Sequence, residues 1–238
     1  MTQAALRPWS ARAINLPEHA DNPIHTDAGA KASGYPAAIV AGTSVYAFLT
    51  HPPAASWGLD WVTAGGGELR LQRPVFDADL VDCVIEGSAD SPTVEAQVGG
   101  ATKATFAVER VAAALPEREG EHLETFEVIL SERWAAYGMR SGDDLSLYAT
   151  EGIVHPAAWP ALANNVFRRY LIDGPWIHTR SRIVHCGRAP AGETAVVAST
   201  VVDRFETRAG ERALVDVRVF VAGNLVAEIE HEALVRLS

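Results

Sequence analysis

The apolar and polar positions along this chain follow an order that occurs twice. Each half contains one long helix-like stretch, AIVAGTSVYAFL in the first half and PAAWPALANNVFRRYL in the second. The first of these is apolar on nearly every side, which predicts a helix buried inside the fold. Each stretch is followed by segments in which apolar residues alternate or run in short β-branched groups, and this pattern predicts strands. The repeated order predicts an α+β fold built by internal duplication.

The predicted strands form an antiparallel meander in each half. Those of the first half are GELRLQRPV, DLVDCVIEGSA, TVEAQVG and KATFAVERVA, and those of the second are PWIHTRSRIVH, TAVVASTVVDRFE, RALVDVRVFVAG and LVAEIEHEALVRL. The last three are joined by TRAGE and AGN, which are typical of hairpin turns. Antiparallel pairing of consecutive strands is therefore expected.

A charged segment, ALPEREGEHLET, separates the two halves. It contains Pro116 and Gly120 and has little apolar periodicity, which is typical of a linker. The predicted organisation is therefore an N-terminal repeat at residues 1–113, a linker at 114–124 and a C-terminal repeat at 125–238.

One stretch raises the question of a membrane span, because Ala32 to Leu59 contains no Asp, Glu, Lys or Arg. A spanning helix needs about 20 predominantly apolar residues. Glycines and prolines interrupt this stretch, so its helical part is predicted to extend no further than Pro36 to Thr50. We therefore expect a buried helix and no association with a membrane. The N-terminus lacks the continuous apolar region of a signal peptide, and the expected location is cytoplasmic.

Charge and cysteine content exclude several classes of function. The chain has 238 residues with a formal net charge of −10, which argues against general binding to nucleic acid or to an anionic membrane. Cys83 and Cys186 lie in separate apolar runs, as buried small hydrophobic residues do, and their separation does not suggest a disulfide or zinc site.

His178 and His185 lie seven positions apart in one predicted strand. That odd spacing places them on opposite faces and argues against a metal pair.

Candidate chemistry is concentrated in the segment ADNPIHTD, which carries Asp21, Asn22, His25 and Asp27 within eight positions. Taken alone, these residues leave a structural role open. Asp-Asn-Pro commonly begins a turn, and Asp27 could cap a short helix.

The longer segment DNPIHTDAGAKASGYPAAIVAGTSVYAFL resembles the signature of the MaoC-like dehydratases, which include the (R)-specific enoyl-CoA hydratases. The matching residues are Asn22-Pro23-Ile24-His25, Asp27, Gly34-Tyr35 and the glycine that begins the helix, Gly42. The resemblance implies a hotdog fold, in which an antiparallel sheet wraps a helix. Two such units in one chain imply a double hotdog.

The chain departs from that signature at two catalytic positions. Ala20 stands where the family has its aspartate, and Ala41 stands where it has a histidine before the helix glycine. In the second half, Asp143 keeps the aspartate position, whereas Tyr148 replaces the histidine. One half therefore retains the imidazole and the other the carboxylate.

Addition of water to an enoyl thioester needs a base, an acid and a hydrogen-bond donor for the thioester oxygen. His25 is the expected acid/base, because imidazole titrates near neutral pH. Gly42 N–H at the positive end of the helix is the expected oxyanion donor, with Asn22 as the orienting group. Asp21 or Asp27 is the expected substitute carboxylate. Tyr35 and Ala41 are expected to contact the substrate.

The resemblance therefore implies a hydratase- or dehydratase-like lyase acting on an enoyl or 3-hydroxyacyl thioester, a small-molecule substrate carried by coenzyme A or by a carrier protein. No metal or organic cofactor is expected, because the thioester itself acidifies the α-carbon. Three alternatives stay open: a hotdog thioesterase, another remodelled lyase or isomerase, and a non-catalytic protein that binds acyl thioesters or small ligands. The quaternary state is also open, between a monomer and a homodimer of double hotdogs.

Overall fold

The computed structural model of the chain describes residues 4–237. Within these described residues there are eleven strands: β1 (Trp9–Arg12), β2 (Gly66–Leu71), β3 (Leu80–Ser88), β4 (Ser91–Val98), β5 (Ala101–Glu109), β6 (Glu121–His122), β7 (Phe126–Ile129), β8 (Ile177–His185), β9 (Thr194–Thr207), β10 (Gly210–Val221) and β11 (Asn224–Leu237). All eight predicted meander strands are confirmed, with small differences at their ends.

The described part of the chain also contains six α-helices, which lie between these strands: α1 (Asp27–Ala32), α2 (Gly42–Ala64), α3 (Glu132–Ala135), α4 (Tyr137–Ser141), α5 (Leu147–Glu151) and α6 (Ala158–Tyr170). Two short 3-10 turns, Pro17–His19 and Pro23–His25, precede α1. The long helices α2 and α6 correspond to the two predicted helices.

All strands belong to one sheet, and its order explains how the halves combine. The order is β1-β3-β4-β5-β2-β8-β11-β10-β9-β6, with β7 also paired to β9. The first-half and second-half meanders meet where β2 pairs antiparallel with β8. The predicted boundary, residues 114–124, falls between β5 and β7 in chain order and contains β6.

The long helices supply the apolar groups that the sheet covers. Helix α2 packs against the first-half strands, and α6 packs against β8, β10 and β11. Tyr46, Phe48 and Leu49 of α2 and Phe167 of α6 have no exposed surface. Burial of each such side chain contributes roughly 1.5–3 kcal/mol, so the sheet and the helices stabilise each other.

The prediction that the first helix extends no further than Thr50 is wrong. Helix α2 continues through Pro52 and Pro53 to Ala64, with a break at Gly58, where φ is 61° and ψ is −145°. Pro52 cannot donate to the carbonyl of Phe48 one turn earlier. The Cys83 thiol donates to that carbonyl instead, at 3.4 Å. No helix among residues 4–237 has both the length and the apolar character needed to cross a bilayer.

Candidate active site

A cavity of about 370 Å³ lies beside the N-terminus of α2. Both halves form its walls. The first half contributes parts of segments 18–25, 35–45 and 71–75, and the second contributes parts of 131–140 and 161–178. Of the residues predicted for the site, those that line this cavity are Asp21, Asn22, His25, Tyr35, Ala41 and Gly42, whereas Asp27 does not line it.

The local sequence places His25 and fixes its protonation. Asn22 caps the Pro23–His25 turn by accepting from the Ile24 N–H, and the turn carries the imidazole to the cavity wall. His25 Nδ1 lies 2.7 Å from the carbonyl oxygen of Ile39. Since a carbonyl only accepts, Nδ1 carries the proton and Nε2 keeps a free lone pair. Burial lowers the pKa of His25, although the Ile39 hydrogen bond opposes this, so the ring is a neutral base at neutral pH.

Asn22 connects this turn to the second half of the chain. Its side chain is 5% exposed, and its Nδ2 donates to the carbonyl of Trp176, just before β8, at 2.9 Å. The amide is therefore committed to structural bonds on both of its polar atoms. It holds the His25 turn against the opposite wall of the cavity.

Neither predicted substitute carboxylate contacts His25. Asp21 is an exposed residue that forms an ion pair with Arg168 at 3.0 Å. Asp27 accepts from the Ala38 N–H at 3.0 Å, and the cap of α1 is Thr26 instead of Asp27. Among residues 4–237, no carboxylate is hydrogen-bonded to the His25 ring. A catalytic role for Asp21 or Asp27 as a substitute carboxylate stays a prediction.

Gly42 begins α2 and forms part of the cavity wall. A β-carbon at this position would overlap the Leu71 Cδ1 methyl and would lie 3.1 Å from His178 Nδ1. The absence of a β-carbon lets the helix N-terminus pack closely against Leu71 and His178 at the cavity wall. The first N–H groups of a helix have no partner within it, so Gly42 N–H is available as a donor.

We expect Gly42→Ala to lower kcat/KM by about 10²-fold with little loss of stability. The methyl group would displace Leu71 and shift the helix N-terminus, and a misplacement of about 1 Å can cost about 10²-fold in rate. Steady-state kinetics with an enoyl thioester and thermal unfolding measure the two effects. Gly174→Ala is the matched control, because a β-carbon there meets no atom within 4 Å. Equal activity in the two variants would contradict a role for Gly42.

Two residues that the sequence did not single out complete the polar wall. His19 Nε2 lies 2.8 Å from the hydroxyl of Tyr137, which comes from α4 of the second half. That hydroxyl is also 3.0 Å from Thr43 Oγ1 and 2.9 Å from Ser44 Oγ. The His19 and His25 ring centroids are 5.8 Å apart. Burial, assisted by His25, lowers the pKa of His19 to about 4. No motif marks His19, which directly precedes Ala20, and Tyr137 lies in a helix of ordinary composition.

The interpretation of His178 and His185 as residues on opposite faces is wrong. A register shift in the pairing of β8 with β11 leaves Thr179 as an extra residue, because Arg180 pairs with Glu232 and His178 with Ala233. A bulge reverses the alternation of side chains beyond it. Both histidines are therefore buried. His178 lines the cavity, whereas His185 packs against Trp61.

The second-half aspartate has a partner of its own. Asp143 is 6% exposed and accepts from His51 Nδ1 at 2.6 Å and from the Leu145 N–H at 2.9 Å. His51, Asp143 and Asp144 have ligand atoms within 4.8 Å of one another and could hold a metal ion. The existing hydrogen bond, however, occupies the His51 nitrogen that a metal would need. None of the three lines the cavity beside α2.

Comparison with known proteins identifies the fold. No family model and no curated protein matches the sequence. Among solved structures, a Mycobacterium tuberculosis protein with a double hotdog fold aligns with a TM-score of 0.64 and 11% identity, over 98% of this chain and 96% of its own. The dehydratase domain of PpsC from the same organism, in complex with C12:1-CoA, aligns with a TM-score of 0.58 and 14% identity, over 97% and 94%. A MaoC-like dehydratase aligns with a TM-score of 0.60 and 14% identity, over 100% and 99%.

The predicted double hotdog is thereby confirmed, and structural neighbours of the chain include MaoC-like dehydratases, the family that the motif resembles. Proteins described as thioesterases, from Lactobacillus plantarum and Novosphingobium aromaticivorans, match as well. Likeness at this level of identity establishes the fold, and one fold supports several reactions. The reaction has to be argued from the cavity and its side chains.

Proposed function

We propose that this protein hydrates an enoyl thioester, or dehydrates the corresponding 3-hydroxyacyl thioester, in the cavity beside α2. The observation that carries the proposal is the His25 imidazole. Its Nδ1–H is held by the Ile39 carbonyl, its Nε2 is free, and it faces the same cavity as the N-terminus of α2. A neutral base and a helix N-terminus that meet in one cavity suit a reaction whose intermediate is an enolate.

The proposed chemistry uses His25 for both proton transfers. His25 Nε2 takes a proton from water while the water oxygen bonds to C3 of the enoyl group. The electron pair of the C2–C3 double bond moves toward C1, and the thioester oxygen becomes an enolate oxygen that accepts from Gly42 N–H. The proton then passes from His25 Nε2 to C2, the carbonyl re-forms, and His25 returns to its neutral state.

Burial of the His25 ring assists both proton transfers, the one from water and the one to C2. A His25 pKa below its ordinary value keeps the ring unprotonated at neutral pH and makes the transient imidazolium a strong acid toward C2. Asn22 keeps the His25 turn in place in this scheme, while Tyr35 and Ala41 line the space for the acyl chain. No step requires Asp21 or Asp27.

The cavity also suits a phosphate-bearing thioester. Its lining includes four arginines, Arg73, Arg133, Arg140 and Arg168, against the carboxylates of Glu18 and Asp21. A chain with net charge −10 thus presents a locally cationic surface, and arginine is well suited to phosphate. The structurally similar dehydratase domain in complex with C12:1-CoA is consistent with this assignment. Coenzyme A thioesters are therefore the first substrates to test.

Purified protein is expected to remove the enoyl absorbance of crotonyl-CoA and of longer trans-2-enoyl-CoAs without releasing free thiol. Ultraviolet absorbance and a thiol reagent measure the two signals in one sample. Thiol release in step with the loss of absorbance would contradict the hydratase proposal and favour the thioesterase alternative. Saturable binding with neither signal would contradict both reactions and favour a binding protein.

A further inference from the structure

We infer that His19 is the second functional imidazole of the site: the Tyr137 hydroxyl fixes it in the Nδ1–H form, and this N–H donates to the oxygen that joins or leaves C3. The inference rests on the proposed function for its chemical meaning. Its structural part, the position of one proton, can be measured on its own.

The direction of each hydrogen bond around the Tyr137 hydroxyl can be assigned by counting protons. The groups involved are the side chains of His19, Thr43, Ser44 and Tyr137. Thr43 is 1% exposed and Ser44 is fully buried, and each hydroxyl has Tyr137 Oη as its hydrogen-bond partner in the described chain. Only one arrangement gives every hydroxyl proton an acceptor. Thr43 and Ser44 donate to the two lone pairs of the Tyr137 oxygen, and Tyr137 donates to His19 Nε2. If His19 donated to Tyr137 instead, the hydroxyl proton of Thr43 or Ser44 would have no acceptor among residues 4–237, which is unfavourable at these buried positions.

The position of the ring proton of His19 then follows from this assignment. A neutral imidazole whose Nε2 accepts must carry its proton on Nδ1. The ring is neutral at pH 7, because burial lowers the pKa of His19 to about 4. The hydrogen bond found for the His19 ring among residues 4–237 is made by Nε2, and His19 lines the cavity. His19 therefore presents a donor, whereas His25 presents an acceptor.

The two rings are close enough for one oxygen atom beside them to reach both. Their centroids are 5.8 Å apart and their planes are inclined by 63°. An oxygen that donates to His25 Nε2 and accepts from His19 Nδ1–H, each at about 2.8–3.0 Å, would be held at one point. This oxygen becomes hydroxide-like in the transition state, so a fixed N–H donor stabilises it. A neutral N–H does so without giving up its proton, which leaves proton transfer to His25.

The arrangement also accounts for the missing aspartate. The position of that residue is Ala20, which is exposed, while the adjacent His19 points into the cavity. Tyr137 belongs to the second half, so its hydroxyl orients a first-half residue. The two halves are therefore both needed for the site.

The proton position can be tested by NMR on protein labelled with ¹⁵N-histidine. Long-range ¹H–¹⁵N correlation is expected to show His19 protonated on Nδ1 in the wild type and shifted toward the Nε2–H form in Tyr137→Phe. The His19→Asn spectrum assigns the signal by its loss. His19 protonated on Nε2 in the wild type would overturn the inference.

Kinetics test the catalytic part with a matched pair of variants. An asparagine amide can place an N–H near the Nδ1 position, and a glutamine amide reaches the Nε2 position. We expect kcat to fall about 10²–10³-fold in His19→Gln, the usual loss for one such donor, and clearly less in His19→Asn, with KM little changed in both. The reverse order of activities would overturn the inference. Exposed His122→Ala is the control, and thermal unfolding checks that each variant is folded.

Failure of the inference is distinguishable from failure of the proposed function. A wild-type protein that leaves enoyl thioesters unchanged would overturn the hydration chemistry, and with it the role of His19 in that chemistry. A wrong tautomer, or a reversed order of the two variants in an active enzyme, would overturn the assignment of His19 and leave the proposed function standing.

Discussion

Replacing His25 by alanine is expected to lower kcat for hydration of an enoyl thioester by ~10²–10⁴-fold, the range that a positioned acid–base group supplies. The reason is the free Nε2, which is the acceptor assigned to the water proton. No carboxylate in the described chain is hydrogen-bonded to this ring in a position to take over its role. KM should change little, because an alanine leaves the cavity walls and Gly42 N–H in place.

The control for this variant is His122→Ala, which removes an exposed imidazole that does not line the cavity. Activity should be retained there. Loss of absorbance from crotonyl-CoA measures both variants under the same conditions. Unchanged turnover in a correctly folded His25→Ala protein would contradict the assignment of the base.

The pH dependence of kcat/KM is a second test of the role of His25. Protonation removes the base, so kcat/KM falls as pH decreases through the pKa of His25 in the free enzyme. Burial lowers that pKa below its ordinary value of 6.5. The acid limb should therefore lie below pH 6.5, and at pH values where the protein remains folded the residual activity of His25→Ala should lack this limb. A limb at or above pH 6.5 would contradict the assignment of a desolvated base.

The sequence predicts the elements because their signals are local. Alternating apolar residues and hairpin turns define the strands of both meanders, and a 30-residue motif identifies the hotdog arrangement. The end of α2 could not be predicted in the same way, because Pro52 and Pro53 normally interrupt a helix. Its continuation depends on tertiary contacts, among them the Cys83 thiol that satisfies the carbonyl of Phe48.

The site is less predictable, because its geometry depends on pairings far apart in the sequence. His25 and Gly42 are accessible to motif reasoning. The partnership of His19 with Tyr137 joins residues 118 positions apart, and the burial of His178 depends on a bulge at Thr179. Neither feature leaves a periodic signal. Asp143 is a further case, because its His51 partner, 92 positions away, has no place in the motif.

Lowering the pH toward 5 is expected to unfold this protein cooperatively, before its carboxylates become protonated. Four histidines are buried and have lowered pKa values because burial disfavours the charged ring. The value is about 4 for His155 and His185 and about 3 for His178, and it lies well below 6.5 for His231. Repulsion from His178 adds to the effect of burial at His231.

The sign of the effect follows from which state binds protons. The unfolded chain protonates its histidines near pH 6.5, whereas in the folded chain His155, His178 and His185 are protonated only near pH 4 or below. Stability is therefore fully present above about pH 7 and decreases as pH falls between 6.5 and 4. At pH 5 each of His155, His178 and His185 costs about 2 kcal/mol. These three together cost about 6 kcal/mol, against a typical total stability of about 5–15 kcal/mol, and His231 acts in the same direction.

The measurement is the free energy of unfolding in urea at pH 7.5 and pH 5.5, with near-ultraviolet circular dichroism to follow tertiary packing during an acid titration. A decrease of at least about 4 kcal/mol is expected between these pH values, from the three histidines with folded pKa values of about 3 to 4. Glu18 and Glu68 have pKa values lowered by their arginine partners despite the opposing effect of burial, so their ion pairs are lost only below about pH 4.5. The transition above that pH is therefore assigned to the histidines.

Two variants distinguish the contribution of a buried histidine to the pH-dependent loss of stability from that of an exposed one. His185→Gln removes a ring that lies 3.2 Å from the Trp61 carbonyl oxygen, and its decrease in stability between the two pH values should be smaller by about 1 kcal/mol. His122→Gln changes an exposed ring and should keep the wild-type decrease. Native circular dichroism retained at pH 4.5 would contradict the prediction, because the folded state would then have accommodated charges that its interior cannot solvate.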